Sequence, residues 1–124
     1  MSDAEERRLS FWSGQEDETF ERLMAAPRIA LDTESDPFHR YFERVCLIQL
    51  SDAQQDWLFD PLEHETLPSG MERLLGGDGP VIVMHGAESD VRSLKQSFSV
   101  AIGPLFDTQL AAQLLGKEKF GLKD

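Results

Sequence analysis

Four consecutive apolar residues, Val81-Ile82-Val83-Met84, are followed by an apolar stripe, Ala87, Val91, Leu94 and Phe98, at steps of four, three and four. A short unbroken run of this kind reads as a strand covered on both faces. The stripe predicts a helix over 87–98 with one side on the core. Gly103-Pro104 then interrupts the chain ahead of Leu105-Phe106, a brief strand. A strand, a helix and a second strand in that order form a parallel crossover, right-handed by the usual rule. This unit points to an α/β protein.

The rest of the chain extends that reading. Phe20, Leu23 and Met24 lie at helical spacing between Glu16 and Ala26, and Pro27 closes the segment. Strands are expected at Arg28–Asp32, Val45–Leu50 and Asp56–Asp60. Their short connections suggest an antiparallel meander. Met71–Leu75 reads as a short helix ended by Gly76-Gly77. Asp107 stands where an N-cap belongs, ahead of Leu110, Ala111, Leu114 and Leu115, and Gly116 ends that helix. The expected fold is a mixed sheet, a three-strand antiparallel meander plus parallel strands, with helices on both faces. Residues 1–15, polar and acidic except for Phe11 and Trp12 near their end, read as a tail or as an arm that docks by those aromatics. Residues 16–124 read as one domain, and 124 residues in all leave no room for two.

Charge narrows the functional classes. Twelve basic and 23 acidic residues leave a net charge of -11. That argues against a basic nucleic-acid clamp or a membrane-surface module, which both need a positive field. It does not exclude a metal site, because carboxylates are what hard divalent cations need. The single cysteine, Cys46, allows neither an internal disulfide nor a Cys-rich zinc site. No apolar run approaches the ~20 residues of a membrane span, and the acidic start is unlike a signal peptide. A cytoplasmic location is expected.

Four places could carry chemistry. In Asp32-Thr33-Glu34 at a strand end, residues two apart point to one face, so two carboxylates converge. Like charges ~4 Å apart repel by roughly 4 kcal/mol at an effective dielectric of 20, and a bound cation offsets that. Taken alone, such a pair more often just begins a polar loop. In His85-Gly86-Ala87-Glu88-Ser89-Asp90, the last acid borders the apolar stripe, where it is costly without a partner. An ordinary interaction with the helix N-terminus explains Asp90 equally well. In Asp107-Thr108-Gln109 the cap is the better reading. The loop Phe38-His39-Arg40-Tyr41-Phe42-Glu43-Arg44 interleaves aromatics with two arginines, which suits single-stranded nucleic acid or, as readily, a hairpin loop folded on its own aromatics.

The ordered set resembles the ribonuclease D branch of the DEDD 3′–5′ exonucleases, on the ribonuclease H-like fold. The resemblance rests on Ile29-Ala30-Leu31-Asp32-Thr33-Glu34, Leu47-Ile48-Gln49-Leu50, Asp60-Pro61-Leu62, His85 to Asp90 with Leu94, and Phe106-Asp107-Thr108-Gln109, spanning about residues 16–124. It implies hydrolysis of RNA from its 3′ end, with two Mg²⁺ or Mn²⁺ ions and release of nucleoside 5′-monophosphates; DNA is the alternative substrate. Asp32 would bridge both ions, Glu34 would hold the one that activates water, and Asp90 the one near the leaving oxygen. Thr33, Phe38, His39, Arg40, Tyr41, Arg44 and His85 would hold the nucleic acid, and Asp107 would be a structural cap.

The resemblance also implies a third motif, Tyr-x-x-x-Asp, which does not occur here: the only tyrosine is Tyr41, with Val45 four residues on, and Phe120 stands four before Asp124. The chain is therefore expected to be the N-terminal portion of the domain, truncated on its C-terminal side or naturally short, and weak or inactive alone. Apolar surface near Val81–Met84 or Leu110–Leu115 would then be exposed, to be covered by a second copy or by the missing half. A non-catalytic module of the same fold, binding RNA or protein, is the other functional reading, and an acidic α/β domain with no site is the third.

Overall fold

The computed structural model describes residues 7–36 and 44–117. Its elements in chain order are β1 (Arg8–Phe11), α1 (Glu18–Ala25), β2 (Arg28–Asp36), β3 (Arg44–Ser51), β4 (Gln55–Phe59), α2 (Ser69–Leu75), β5 (Val81–Met84), α3 (Ala87–Phe98), β6 (Leu105–Asp107) and α4 (Thr108–Leu114). They build one six-stranded sheet in the order β1-β4-β3-β2-β5-β6. β2, β3 and β4 form the antiparallel meander, while β5 and β6 extend it in parallel beyond β2. This is the mixed sheet expected from the sequence.

Two features differ from expectation. From Arg8 onward the supposed N-terminal arm is a sheet strand, paired in parallel with β4 over Arg8–Phe11. Of the two aromatics, only Trp12 docks: it is buried, and its indole N–H donates to Asp17, the acid that caps α1. Phe11 is 79% exposed. The second difference is β5, which is not covered on both faces. Ile82 and Met84 are buried, but Val81 is 36% exposed and Val83 half-buried.

The reason is a one-sided core. Ile29, Leu31 and Thr33 of β2 face it with Val45, Ile48 and Leu50 of β3, and α3 adds Ala87, Leu94 and Phe98. Each fully buried Leu or Ile contributes roughly 1.5–3 kcal/mol. The other face of β2 carries Ala30, Asp32 and Glu34, all exposed. α4 buries no residue: Leu110 and Leu115 are exposed and Leu114 is 89% exposed, alongside exposed Leu105 and Phe106. Apolar surface is thus open where the sequence led us to expect it. Among the described residues no helix is long and apolar enough to cross a membrane.

Candidate active site

β5 pairs with β2 only at Arg28, Ile29 and Ala30. Beyond Ala30 β2 continues to Asp36 against β3 alone, so that edge has no strand partner among the described residues. The chain leaving β5 turns at Gly86, whose φ of 67° lies in the left-handed region. That conformation strains any residue with a side chain, and a Cβ there would come within 2.8 Å of Gln109 Oε1, which would have to move aside. α3 starts at once, and its first turn carries Asp90 to the open edge of β2. The Thr33 hydroxyl donates to Asp90 Oδ1 over 2.7 Å, across 57 residues of sequence.

That contact ties Asp90 to the strand that bears Asp32 and Glu34. Burial, above all, pushes the Asp90 carboxyl above its ordinary 3.8; the Thr33 hydroxyl opposes this, and the charges of Asp32 and Glu34 add to the rise. All three acids therefore share one electrostatic neighbourhood. They do not close into a cage: among the described residues, no three His, Cys, Asp or Glu side chains converge tightly enough to hold a metal ion. A carboxyl raised on folding destabilises the fold at neutral pH, because the native state holds its proton more tightly than the unfolded one. In chelator, Asp90→Asn is expected to raise the melting temperature at pH 7. The gain should disappear below the ordinary value of 3.8, where both states are protonated. Melting curves from pH 3 to pH 7 check this.

Asp107 joins two helix starts. Its Oδ1 accepts from the backbone N–H of Gln109 (2.8 Å) and Leu110 (3.3 Å) in α4, and of Gly86 (2.9 Å) before α3. Its Oδ2 accepts from Ala87 N–H at 2.7 Å. Burial alone would raise this carboxyl, but the four backbone donors hold it below the ordinary range. His85 is tied to the same corner. The Thr108 hydroxyl donates to the Met84 carbonyl, so it accepts from His85 Nδ1 at 2.9 Å. That assignment puts a proton on Nδ1, and Nε2 is buried without a hydrogen-bond partner among the described residues.

A cavity of about 400 Å³ opens on the exposed face of the sheet, lined by Asp32, Gln49, Ser51, His85 and Thr108 among others. Gln49 stands directly opposite Asp32 in the β2–β3 register. Neither Gln49 nor Ser51 is among the site residues expected from sequence, although both are polar residues at alternate positions after an apolar run, which is the available signal. Of the residues expected to touch nucleic acid, Thr33 is 8% exposed and its hydroxyl is committed to Asp90. Arg44 donates to the His64 carbonyl and lies over the Phe98 ring, 5.9 Å from its centroid. Phe38, His39, Arg40 and Tyr41 lie outside the described residues.

Comparison with known proteins agrees with this geometry. The pattern of the 3′–5′ exonuclease family matches residues 12–124. Ribonuclease D of Xanthomonas oryzae pv. oryzae is 36% identical over 110 residues, 87% of this chain and 30% of that protein. Human exosome complex component 10 is 30% identical over 102 residues, 82% of this chain and 12% of that one. The catalytic core of RRP6 from Trypanosoma brucei superposes with a TM-score of 0.81 at 29% identity, covering 98% of this chain and 34% of that one. The chain thus spans less than a third of the length of these curated relatives. With its sheet order, its acid-bearing β2 and the matched pattern taken together, the chain belongs to the 3′–5′ exonuclease family, alongside ribonuclease D and the Rrp6-type exosome component.

Proposed function

We propose that this chain carries the cation-binding half of a 3′–5′ exoribonuclease domain. Its substrate is the 3′ end of single-stranded RNA, and its products are nucleoside 5′-monophosphates. The observation that supports the reading is the bond between Thr33 and Asp90, which ties the start of α3 to the strand that bears Asp32 and Glu34. The charges of Asp32 and Glu34 act on Asp90, and cations would offset that repulsion.

The donor set fits the ions. Asp32, Glu34 and Asp90 offer oxygen only, which suits Mg²⁺ or Mn²⁺ and not a soft metal. In this reading Asp32 would contact both ions, Glu34 would hold the ion that activates water, and Asp90 the ion near the leaving oxygen. The chemistry that such a pair supplies when bound is a lowered pKa for the attacking water and charge stabilisation at the leaving oxygen. The open arrangement of the three acids calls for a further oxygen ligand, and Tyr-x-x-x-Asp is the motif proposed to bring it. The names of the relatives, ribonuclease D and exosome component 10, favour RNA over DNA. With ions bound, the local acid cluster no longer repels phosphate, so a net charge of -11 is compatible with a nucleic-acid substrate.

The test uses 5′-labelled single-stranded RNA and Mn²⁺. The 124-residue chain alone is expected to degrade it weakly or not at all. A longer chain that includes a Tyr-x-x-x-Asp segment is expected to shorten the RNA one nucleotide at a time, and EDTA should stop it. Internal cuts, or trimming that survives EDTA, would contradict the reading. Binding of the RNA by the longer chain without any cleavage would favour a non-catalytic module.

A further inference from the structure

We infer that Thr33 is a positioning residue, whose buried hydroxyl holds the Asp90 carboxylate in one orientation beside Asp32 and Glu34. The inference rests on the two-cation reading above and assigns a task to the residue between its two strand ligands.

The alternation of β2 sends Asp32 and Glu34 to the exposed face and Thr33 to the core. The other core-facing positions of the strand near it, Ile29 and Leu31, are apolar and buried. Thr33 is the only buried polar residue among those described. Valine has the same shape, a good β-propensity and no hydroxyl to satisfy, so packing alone would favour it here. A buried hydroxyl needs an acceptor, and Asp90 Oδ1 at 2.7 Å is that acceptor. The need is mutual. Asp90 is half-buried, and the Thr33 hydroxyl supplies a donor to its Oδ1.

The geometry also says why such a latch is useful. Asp90 comes from α3, on a different element from Asp32 and Glu34, and nothing in the sheet ladder ties the two together, since β5 has ended before this point. The side-chain bond from Thr33 spans that gap. A carboxylate fixed before the ion arrives loses less freedom on binding. Bonds of this kind, from a residue that does not itself touch the metal, change affinity by about 10- to 100-fold when removed.

The experiment measures Mn²⁺ binding to the 124-residue chain by the electron paramagnetic resonance signal of free Mn²⁺, which needs no turnover. Thr33→Val is expected to raise the Mn²⁺ dissociation constant about 10- to 100-fold. Thr33→Ser keeps the hydroxyl and is expected to restore near-native affinity, a rescue that a packing role would not give. Should Thr33→Val fail to fold, Thr33→Ala takes its place with the same expectation. Unchanged affinity in a folded variant without the hydroxyl overturns the role of Thr33 and leaves the cation reading standing. No Mn²⁺ binding by the unsubstituted chain overturns the cation reading and Thr33's role with it.

Discussion

Asp107→Ala is expected to lower the stability of the chain by on the order of 3 kcal/mol: about 1 for the lost cap of α4, and about 1 for each of two further backbone N–H groups left without their acceptor. In a domain of this size that is roughly 10 °C in melting temperature. The carboxylate serves Gln109 and Leu110 in α4 and, 20 or so residues back, Gly86 and Ala87 at the start of α3. Asparagine preserves one acceptor oxygen and should fall between. The pH dependence follows from the sign of the shift. The Asp107 carboxyl is held below 3.8 in the fold, so its contribution is complete above 3.8 and fades as the pH falls through the native value. Thermal melts of the two chains should therefore differ most at neutral pH and converge in acid. An equal gap at every pH would assign the loss to packing and not to the charged cap.

Asp32→Asn is expected to have the opposite signature. It keeps the shape of the side chain and removes one charge from the cluster that raises Asp90. In chelator the variant should melt at or above the native temperature. In Mn²⁺ the order reverses. At 100 times its dissociation constant a ligand adds about 2.7 kcal/mol, roughly 5–10 °C for a domain of this size, and the variant should lose nearly all of that. A substitution that merely damaged the fold would lower the melting temperature in both buffers.

Much of this was legible in the sequence because the signals were local. The apolar run at Val81–Met84 and the stripe Ala87, Val91, Leu94 and Phe98 coincide with β5 and α3. The meander follows from three β-rich segments separated by short connections. β1 escaped because half of its four residues are Arg8 and Ser10, and a four-residue edge strand carries too little pattern to outweigh its polarity. Its existence depends on β4, more than 40 residues away. The second face of β5 is open for a related reason: an unbroken apolar run records that a surface is apolar, not that anything covers it. α4 repeats the lesson, with Leu110 and Leu114 at helical spacing and both exposed.

The candidate site divides in the same way. Asp-x-Glu on a strand announces two carboxylates on one face. The N-cap pattern at Asp107 is readable within four residues, while its bonds to Gly86 and Ala87 depend on how α3 and α4 meet. The bond between Thr33 and Asp90 has no sequence signal of its own. It arises because β5 stops three pairs along β2 and lets the first turn of α3 reach the strand edge.

The most direct measurement is a Mn²⁺ titration of the unsubstituted chain followed by thermal melting, with Ca²⁺-free, EDTA-treated protein as the start. Three acids gathered to receive divalent ions predict a melting temperature that climbs with the logarithm of Mn²⁺ concentration once the dissociation constant is passed. A melting temperature that stays flat up to millimolar Mn²⁺ would show that Asp32, Glu34 and Asp90 hold no ion, and the cation-binding site proposed here would not exist in this chain.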